Sequence, residues 1–210
     1  MKTAKAANHT ATYLNCEQGS QEWLQARLGV PSASRFNVIV TTKGEPSKSA
    51  KAYINELVAE KITGEKTAFK VTDAMQHGTD TEDEARRFYE FAEGVEVDQV
   101  GFGIHYLGNF GCSPDGLVGN DGGLEIKCPQ PKKIIEYLEK PASAITAYYQ
   151  QIQGCMLVTQ RNWWDLLIYH PKMKPLLQRV FVDIDFISKL EAELHSASIQ
   201  IQKLHEAYKK

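Results

Sequence analysis

Between residues 47 and 63 the apolar positions Ala50, Tyr53, Ile54, Leu57, Val58 and Ile62 recur at the i, i+3, i+4, i+7 spacing of a helix with one buried face, and Gly64 ends the run. Shorter helices are predicted over 21–28, capped by Ser20 and stopped by Gly29, and from Pro31-Ser32-Ala33-Ser34 to residue 40. The polar stretch 41–46 reads as a mobile loop. A further helix over 79–93 ends at Gly94. The pattern then changes to alternating and β-branched residues punctuated by glycines, which predicts strands at 95–106, 109–112, 117–118 and 124–128. Helices at 132–139 and 143–159, strands at 163–169 and 178–183, and a long helix over 186–208 complete the chain. In that last helix Phe186, Ile187, Leu190, Leu194, Ile201 and Leu204 thin out toward the end, leaving its final turns exposed or free to dock a partner. This order predicts an α+β or α/β fold, a mixed central sheet flanked by helices. A helical part (20–93), a sheet (95–185) and the C-terminal helix (186–208) read as a single domain of 210 residues, long enough to bury a full core.

The strongest chemical signal lies in the centre. Ser113-Pro114-Asp115-Gly116 and Leu124-Glu125-Ile126-Lys127-Cys128 flank the turn Gly119-Asn120-Asp121-Gly122-Gly123, with Asp115 five residues before Asn120 and Glu125 five after it. A hairpin closing on Asn120 sets these two carboxylates opposite each other. The two-residue period of a strand sends Leu124, Ile126 and Cys128 to one face and Glu125 and Lys127 to the other. An acid and a lysine two apart are common on exposed strands, and that reading would suffice for the E-x-K alone. The matching P-D-G, the apolar alternate face and the helix after Pro129 favour a metal site, because two acids do not desolvate together without a cation. Hard oxygen ligands suit Mg²⁺ or Mn²⁺, and an adjacent lysine can hold the attacking water of a phosphodiesterase and offset charge on the phosphate.

Other polar residues fall where apolar ones are expected. Glu82 heads the stripe Ala85, Phe88, Tyr89 and Ala92 of the 79–93 helix. A functional acid and a carboxylate complementing the helix dipole are equally good readings of it. Gln151 lies beside the stripe Tyr148, Ile152, Cys155, Met156 and Thr159; a structural hydrogen bond is its simpler role, and a contact with substrate or metal-bound water beside Glu125 the other. Trp23 and Arg27 are one turn apart, so the guanidinium can stack on the indole or reach a phosphate, with Ser32 and Ser34 at the next helix start. N-capping would by itself account for Ser32.

Composition narrows the classes. A net charge of −2 is not that of a nonspecific nucleic-acid coat, so any DNA contact must be local. Lysines cluster at Lys48 and Lys51, at Lys132 and Lys133, and with Arg179 at Lys172 and Lys174, each more simply a solvated face. The four cysteines lack C-x-x-C spacing, which argues against zinc and for reduced thiols in a cytoplasm. Residues 1–15 carry no apolar signal core, and no window reaches the roughly 18 apolar residues of a membrane span.

Five blocks in order resemble the lambda-exonuclease, YqaJ-type viral recombinase family, a branch of the PD-(D/E)-x-K nucleases. They are E-W-L-Q-A-R-L-G-V-P-S-A-S at 22–34, H-G-T-D-T-E-D-E-A at 77–85, C-S-P-D-G at 112–116, L-E-I-K-C-P at 124–129 and Y-Y-Q-Q-I-Q at 148–153. The resemblance implies a Mg²⁺-dependent exonuclease, Mn²⁺ substituting and two metals acting per site, that degrades the 5′-ended strand of duplex DNA. It further implies a homotrimeric ring around the DNA that passes the 3′ tail to a single-strand annealing protein, in a bacterial host cytoplasm. By motif position Asp115, Glu125 and the carbonyl of Ile126 would bind metal, Lys127 would position or deprotonate water, and Glu82 would serve the second metal. Arg27, Ser34 and Ser113 would hold the 5′ phosphate near Trp23, with Gln151 bordering the site and Met75 as the wedge that splits the terminal base pair. Lys43, Lys48 and Lys51 stand where the family tracks DNA.

Two rival functions remain in view. A branched-DNA or restriction-like endonuclease on the same core would have no use for an end-phosphate clamp such as Arg27 and Ser34. A noncatalytic DNA-end adaptor would need neither opposed acids nor Lys127.

Overall fold

The computed structural model describes residues 11–66 and 81–210 in full, together with the helical backbone of 73–80. Among the described residues the elements run β1 (Thr12–Tyr13), α1 (Gln21–Ala26), a 3₁₀ turn (Ala33–Arg35), α2 (Phe36–Ile39), α3 (Ala50–Thr63) and α4 (Asp73–Glu93). They continue through β2 (Val97–Asp98), β3 (Gly103–Ile104), β4 (Gly111–Cys112), β5 (Gly116–Val118), β6 (Gly122–Lys127), α5 (Pro131–Glu139) and α6 (Pro141–Thr159). The chain closes with β7 (Trp163–Ile168), β8 (Leu176–Phe181) and α7 (Ile184–Tyr208). No described helix is long and apolar enough to cross a membrane.

The architecture is the mixed α/β fold that the pattern implies, with two sheets. Five strands in the order β2-β5-β6-β7-β8 form the main sheet, and β1-β3-β4 form a small one. Only β6 and β7 run parallel in the main sheet, joined by the α5–α6 crossover. Leu117, Trp164, Leu166 and Ile168 pack with Ile152, Cys155 and Met156 of α6 on one face. On the other, Leu124, Ile126 and Leu167 meet Ala85 and Tyr89 of α4. The central strand β6 is thus covered on both sides.

The stretch 95–106, read above as one strand, is two short strands in different sheets. Val97 and Asp98 pair with β5, whereas Gly103 and Ile104 pair with β1 and β4. The helix expected from residue 32 to 40 is a single 3₁₀ turn followed by four residues of α2. Helix α4 begins at Asp73, six residues ahead of the expected start, and Ala92 of its inward stripe is exposed. The 41–46 loop is closed: Val40 bridges Pro46, Thr41 N–H donates to the Glu45 carbonyl, and Gly44 lies buried against Lys189 of α7.

Gly122 and Gly123, assigned to the turn from sequence, belong to β6; the turn is residues 119–121, with Gly119 at φ +55°. A Cβ on either strand glycine would overlap the neighbouring Trp163 or Trp164 indole of β7. These glycines let two tryptophans lie flat along the strand that carries Glu125. Trp164 is fully buried and has no room to yield, so Gly123→Ala is expected to destabilise by about 2 kcal/mol or more through overpacking. Gly119→Ala, with nothing near its Cβ, should cost only about 1 kcal/mol for the left-handed backbone. Urea unfolding of the two variants checks the order, and equal losses would contradict this account of β6.

Candidate active site

The β5–β6 register pairs Gly116 with Leu124 and Val118 with Gly122. Extended by one position, it sets Asp115 opposite Glu125, as the symmetry about Asn120 implies. Asp115 Oδ2 accepts a hydrogen bond from the Ile126 N–H at 2.6 Å, which locks the turn before β5 to the central strand. A strand residue's N–H and C=O lie on the same edge, so the Ile126 carbonyl faces the Asp115 side too.

Glu125 is fully buried. Its Oε1 is held by both Lys127 Nζ and Gln151 Nε2, while its Oε2 is buried without a hydrogen-bond partner. Gln151 therefore reaches the site from α6, and Tyr148, one turn earlier on the same helix, places its ring 5.4 Å from Lys127 Nζ. Burial raises the Glu125 carboxyl to about 8, against the pull of Lys127. Burial likewise raises Asp115, opposed by Lys127 and the Ile126 hydrogen bond. For Lys127, burial opposes its charge but is outweighed by Glu125 and Asp115, and the ammonium pKa is raised.

Glu82 approaches from α4. Burial, and then the Asp115 charge, lift its carboxyl to about 7 while Arg86 pulls it down. Its charge interacts with those of Asp115 and Lys127. Arg86 escaped the sequence reading. It donates to Glu82 Oε1 at 2.8 Å, to Asp83 Oδ1 at 2.7 Å and to the Asp115 carbonyl at 3.3 Å. Its i+3 and i+4 spacing from the two acids was the available signal.

The donor set fits a hard divalent cation. Asp115 and Glu125 supply carboxylate oxygens, the orphaned Glu125 Oε2 lacks the positive partner it needs, and the Ile126 carbonyl completes an all-oxygen set. Among the described residues no three His, Cys, Asp or Glu side chains by themselves make a metal cluster. Lys127, Gln151 and Arg86 occupy oxygens of Glu125 and Glu82 in this state.

A second constellation adjoins the first. Trp23 Nε1 donates to Ser113 Oγ at 2.9 Å, and Arg27 reaches Ser113 Oγ and Ser32 Oγ, both at 3.4 Å. The guanidinium carbon lies 4.1 Å from the Trp23 ring centroid, and burial lowers the arginine's pKa. Ser34 is exposed, its Oγ 3.4 Å from that of Ser32. Ser32 makes no side-chain cap, so capping does not explain it. Nor does a helix dipole, because the following helices are single turns; the pocket is made of side chains.

Arg27, Ser32, Ser34, Ser113 and Trp23 are thus brought together beside Asp115, Glu125, Lys127, Glu82 and Gln151. Lys43, Lys48 and Lys51 are exposed on the 41–49 loop and the start of α3, with no bond to this pocket among the described residues. The side chain of Met75 lies outside the described residues. A groove of about 1030 Å³ runs past the site, lined by Trp23, Glu82, Arg86, Gln99 and Asp115 and by the segment from Tyr13 to Gly19.

An alkaline exonuclease from Laribacter hongkongensis, LHK-Exo, is 32% identical over 90% of this chain and 95% of its own, with a TM-score of 0.80. Its complex with dAMP superposes with a TM-score of 0.81 at the same identity and coverage. A phage-related exonuclease from Haemophilus somnus 129PT, 15% identical over 85% of this chain and 96% of its own, shares the fold at a TM-score of 0.65. A comparison with curated proteins gives no match. Residues 22–162, which span α1 through both acids of the hairpin to the end of α6, match the YqaJ-like viral recombinase domain, and the chain belongs to that family.

Proposed function

We propose that this protein is a Mg²⁺-dependent exonuclease that degrades the 5′-ended strand of duplex DNA from its ends. The observation that carries the reading is the shared turn: Ser113, bound by Trp23 and Arg27, lies two residues before Asp115. Two residues span at most about 7 Å, on the scale of one nucleotide of backbone. A terminal phosphate at Ser113 would therefore place the next phosphodiester near Asp115 and Glu125 and release mononucleotides. The dAMP bound to LHK-Exo is a mononucleotide, which supports this size.

When bound, Mg²⁺ would polarise the scissile phosphate and lower the pKa of water. Asp115, Glu125 and the Ile126 carbonyl would hold it. Lys127, kept charged by Glu125 and Asp115, orients water and offsets charge at the phosphate rather than taking a proton. Gln151 fixes the Glu125 carboxylate, and Arg27 with Ser32, Ser34 and Ser113 grips the end. The product would be a 3′ tail for a single-strand annealing protein, released by a cytoplasmic homotrimer enclosing the duplex, as the family resemblance implies; the four free cysteines accord with a reducing compartment. Linear duplexes with 5′-phosphate or 5′-hydroxyl ends and a closed circle test the whole reading. Digestion of the circle would indicate an endonuclease, and binding without digestion an adaptor.

Asp115→Ala, Glu125→Ala and Lys127→Ala are each expected to lower turnover by at least about 10²-fold, the scale of one lost transition-state contact, while circular dichroism stays native. Ca²⁺ should support end binding without efficient cutting, being larger and less strict in geometry. Near wild-type rates in Mg²⁺ for any of the three would refute the site.

Arg27→Ala should erase most of the preference for 5′-phosphate over 5′-hydroxyl ends, because a terminal phosphate carries more charge than an internal diester and gains most from a guanidinium. A merely structural arginine stacked on Trp23 would slow both substrates alike, so the ratio of the two rates decides.

Stability should respond to pH and metal together. The folded-state values of Glu82 (about 7) and Glu125 (about 8) exceed the ordinary carboxylate range. Their stabilising contribution is therefore fully present below about pH 4.5 and is lost as pH rises through those values. A cation needs the ionised forms, so saturating Mg²⁺ is expected to raise Tm more at about pH 9 than at about pH 6. Scanning calorimetry with Mg²⁺ against EDTA reads the difference, and an equal rise at both pH values would contradict the assignment.

A further inference from the structure

Arg86 is the most buried cation of the site, its side chain 9% exposed beneath Glu82 and Asp83, which are 35% and 77% exposed. A lone i, i+4 pair on a helix would be a solvated surface feature that adds little. This arginine differs in three respects. Nη2 and Nη1 each hold a separate acid, so both arms of the fork are engaged by the protein. Its Nε crosses from α4 to the carbonyl of Asp115. The head also lines the groove beside Glu82, Asp83 and Asp115.

These bonds make Arg86 a strut between the helix and the hairpin. The main chain of Asp115 is thereby fixed at both sides: its side chain accepts from Ile126 on β6, and its carbonyl accepts from α4. Glu82 is drawn toward the same turn by the same guanidinium. Lysine would keep the charge but not the planar fork that holds separate acceptors in fixed directions.

We propose that Arg86 is a positioning residue that fixes the helix-borne acid Glu82 to the Asp115 turn, so that both carboxylates serve one cation site. The inference rests on the metal-nuclease reading above. It assigns Arg86 no contact with DNA and none with the reacting atoms.

The test is calorimetric titration of the full-length protein with Mn²⁺ alone, without DNA. Arg86→Lys should weaken Mn²⁺ binding by about 10–100-fold, the range for residues that orient metal ligands, with a native circular dichroism spectrum. Glu82→Gln should weaken it as well, and Glu82→Gln/Arg86→Lys should be no weaker than Glu82→Gln, because coupled residues are not additive. An Arg86→Lys isotherm identical to the wild type overturns the proposal, and so does a double variant that loses the full product of the two factors. Arg86→Gln gives the same comparison if Arg86→Lys fails to fold; loss of fold in both would assign the arginine to the scaffold and also overturn the proposal. Asp115→Ala separates the two readings: if it still binds Mn²⁺ like the wild type, the metal site itself is wrong, whereas if it alone loses binding, only the role of Arg86 fails.

Discussion

A carboxylate with no access to water, Glu125 at the centre of the sheet, is the constraint around which this molecule is arranged. An isolated buried charge is prohibitively costly, and it persists only when paired and hydrogen-bonded. Lys127 from the same strand and Gln151 from α6 satisfy one oxygen, and the other is left bare. The arrangement specifies which helix must cover this face of β6. An apolar residue in place of Gln151 would leave Lys127 as the one described group on that oxygen, and a cationic one would crowd Lys127.

The surrounding packing serves to hold that strand still. Helix α6 is buried around most of its circumference from Gln150 to Thr159, so its amide side chains are delivered to fixed places: Gln150 to the Val40 carbonyl, Gln153 to the Phe181 carbonyl and Gln151 to Glu125. On the opposite face Asp165 of β7, itself buried, accepts from Arg179 across the β7–β8 pair and from Tyr89 of α4. That network ties α4 to the sheet about two turns from Glu82. The position of the helix-borne acid therefore follows from a buried polar anchor at one end and the Arg86 strut at the other.

The hairpin was legible in the sequence because its evidence is local. A turn rich in glycine, two acids symmetric about Asn120 and a strict alternation in β6 specify one register, and a slip of one residue would turn Glu125 to the other face. The stretch 95–106 was not legible, because alternation reports which residues are β but not which strand they join, and β2 and β3 find partners in different sheets. The 41–46 loop looks polar and free in sequence, yet Gly44 is covered by Lys189 from the far end of the chain, a contact no local pattern carries. Arg86 was missed for a related reason. On a helical wheel it is one more charge beside two acids, and only the fold reveals that Asp115 closes over it. Ser32 and Ser34 do lie beside Arg27, but not for the reason read from sequence, since side chains and not a helix dipole form the cluster.

The charges of the site do not cancel among its own side chains. Asp115, Glu125, Glu82 and Asp83 bring four negative charges when ionised, and Lys127 and Arg86 return two positive ones. The remainder is two negative charges, with Asp83 the one acid of the four that is largely exposed. Burial disfavours the charged forms of these acids, and the Glu82 and Glu125 carboxyls are raised to about 7 and about 8. On the metal-nuclease reading proposed above, proton and cation would compete for the same oxygens. Lys127 already pairs with the deepest acid, and Arg86 is held between α4 and the Asp115 turn. On that reading the scaffold presents the site in a state that a divalent cation would complete.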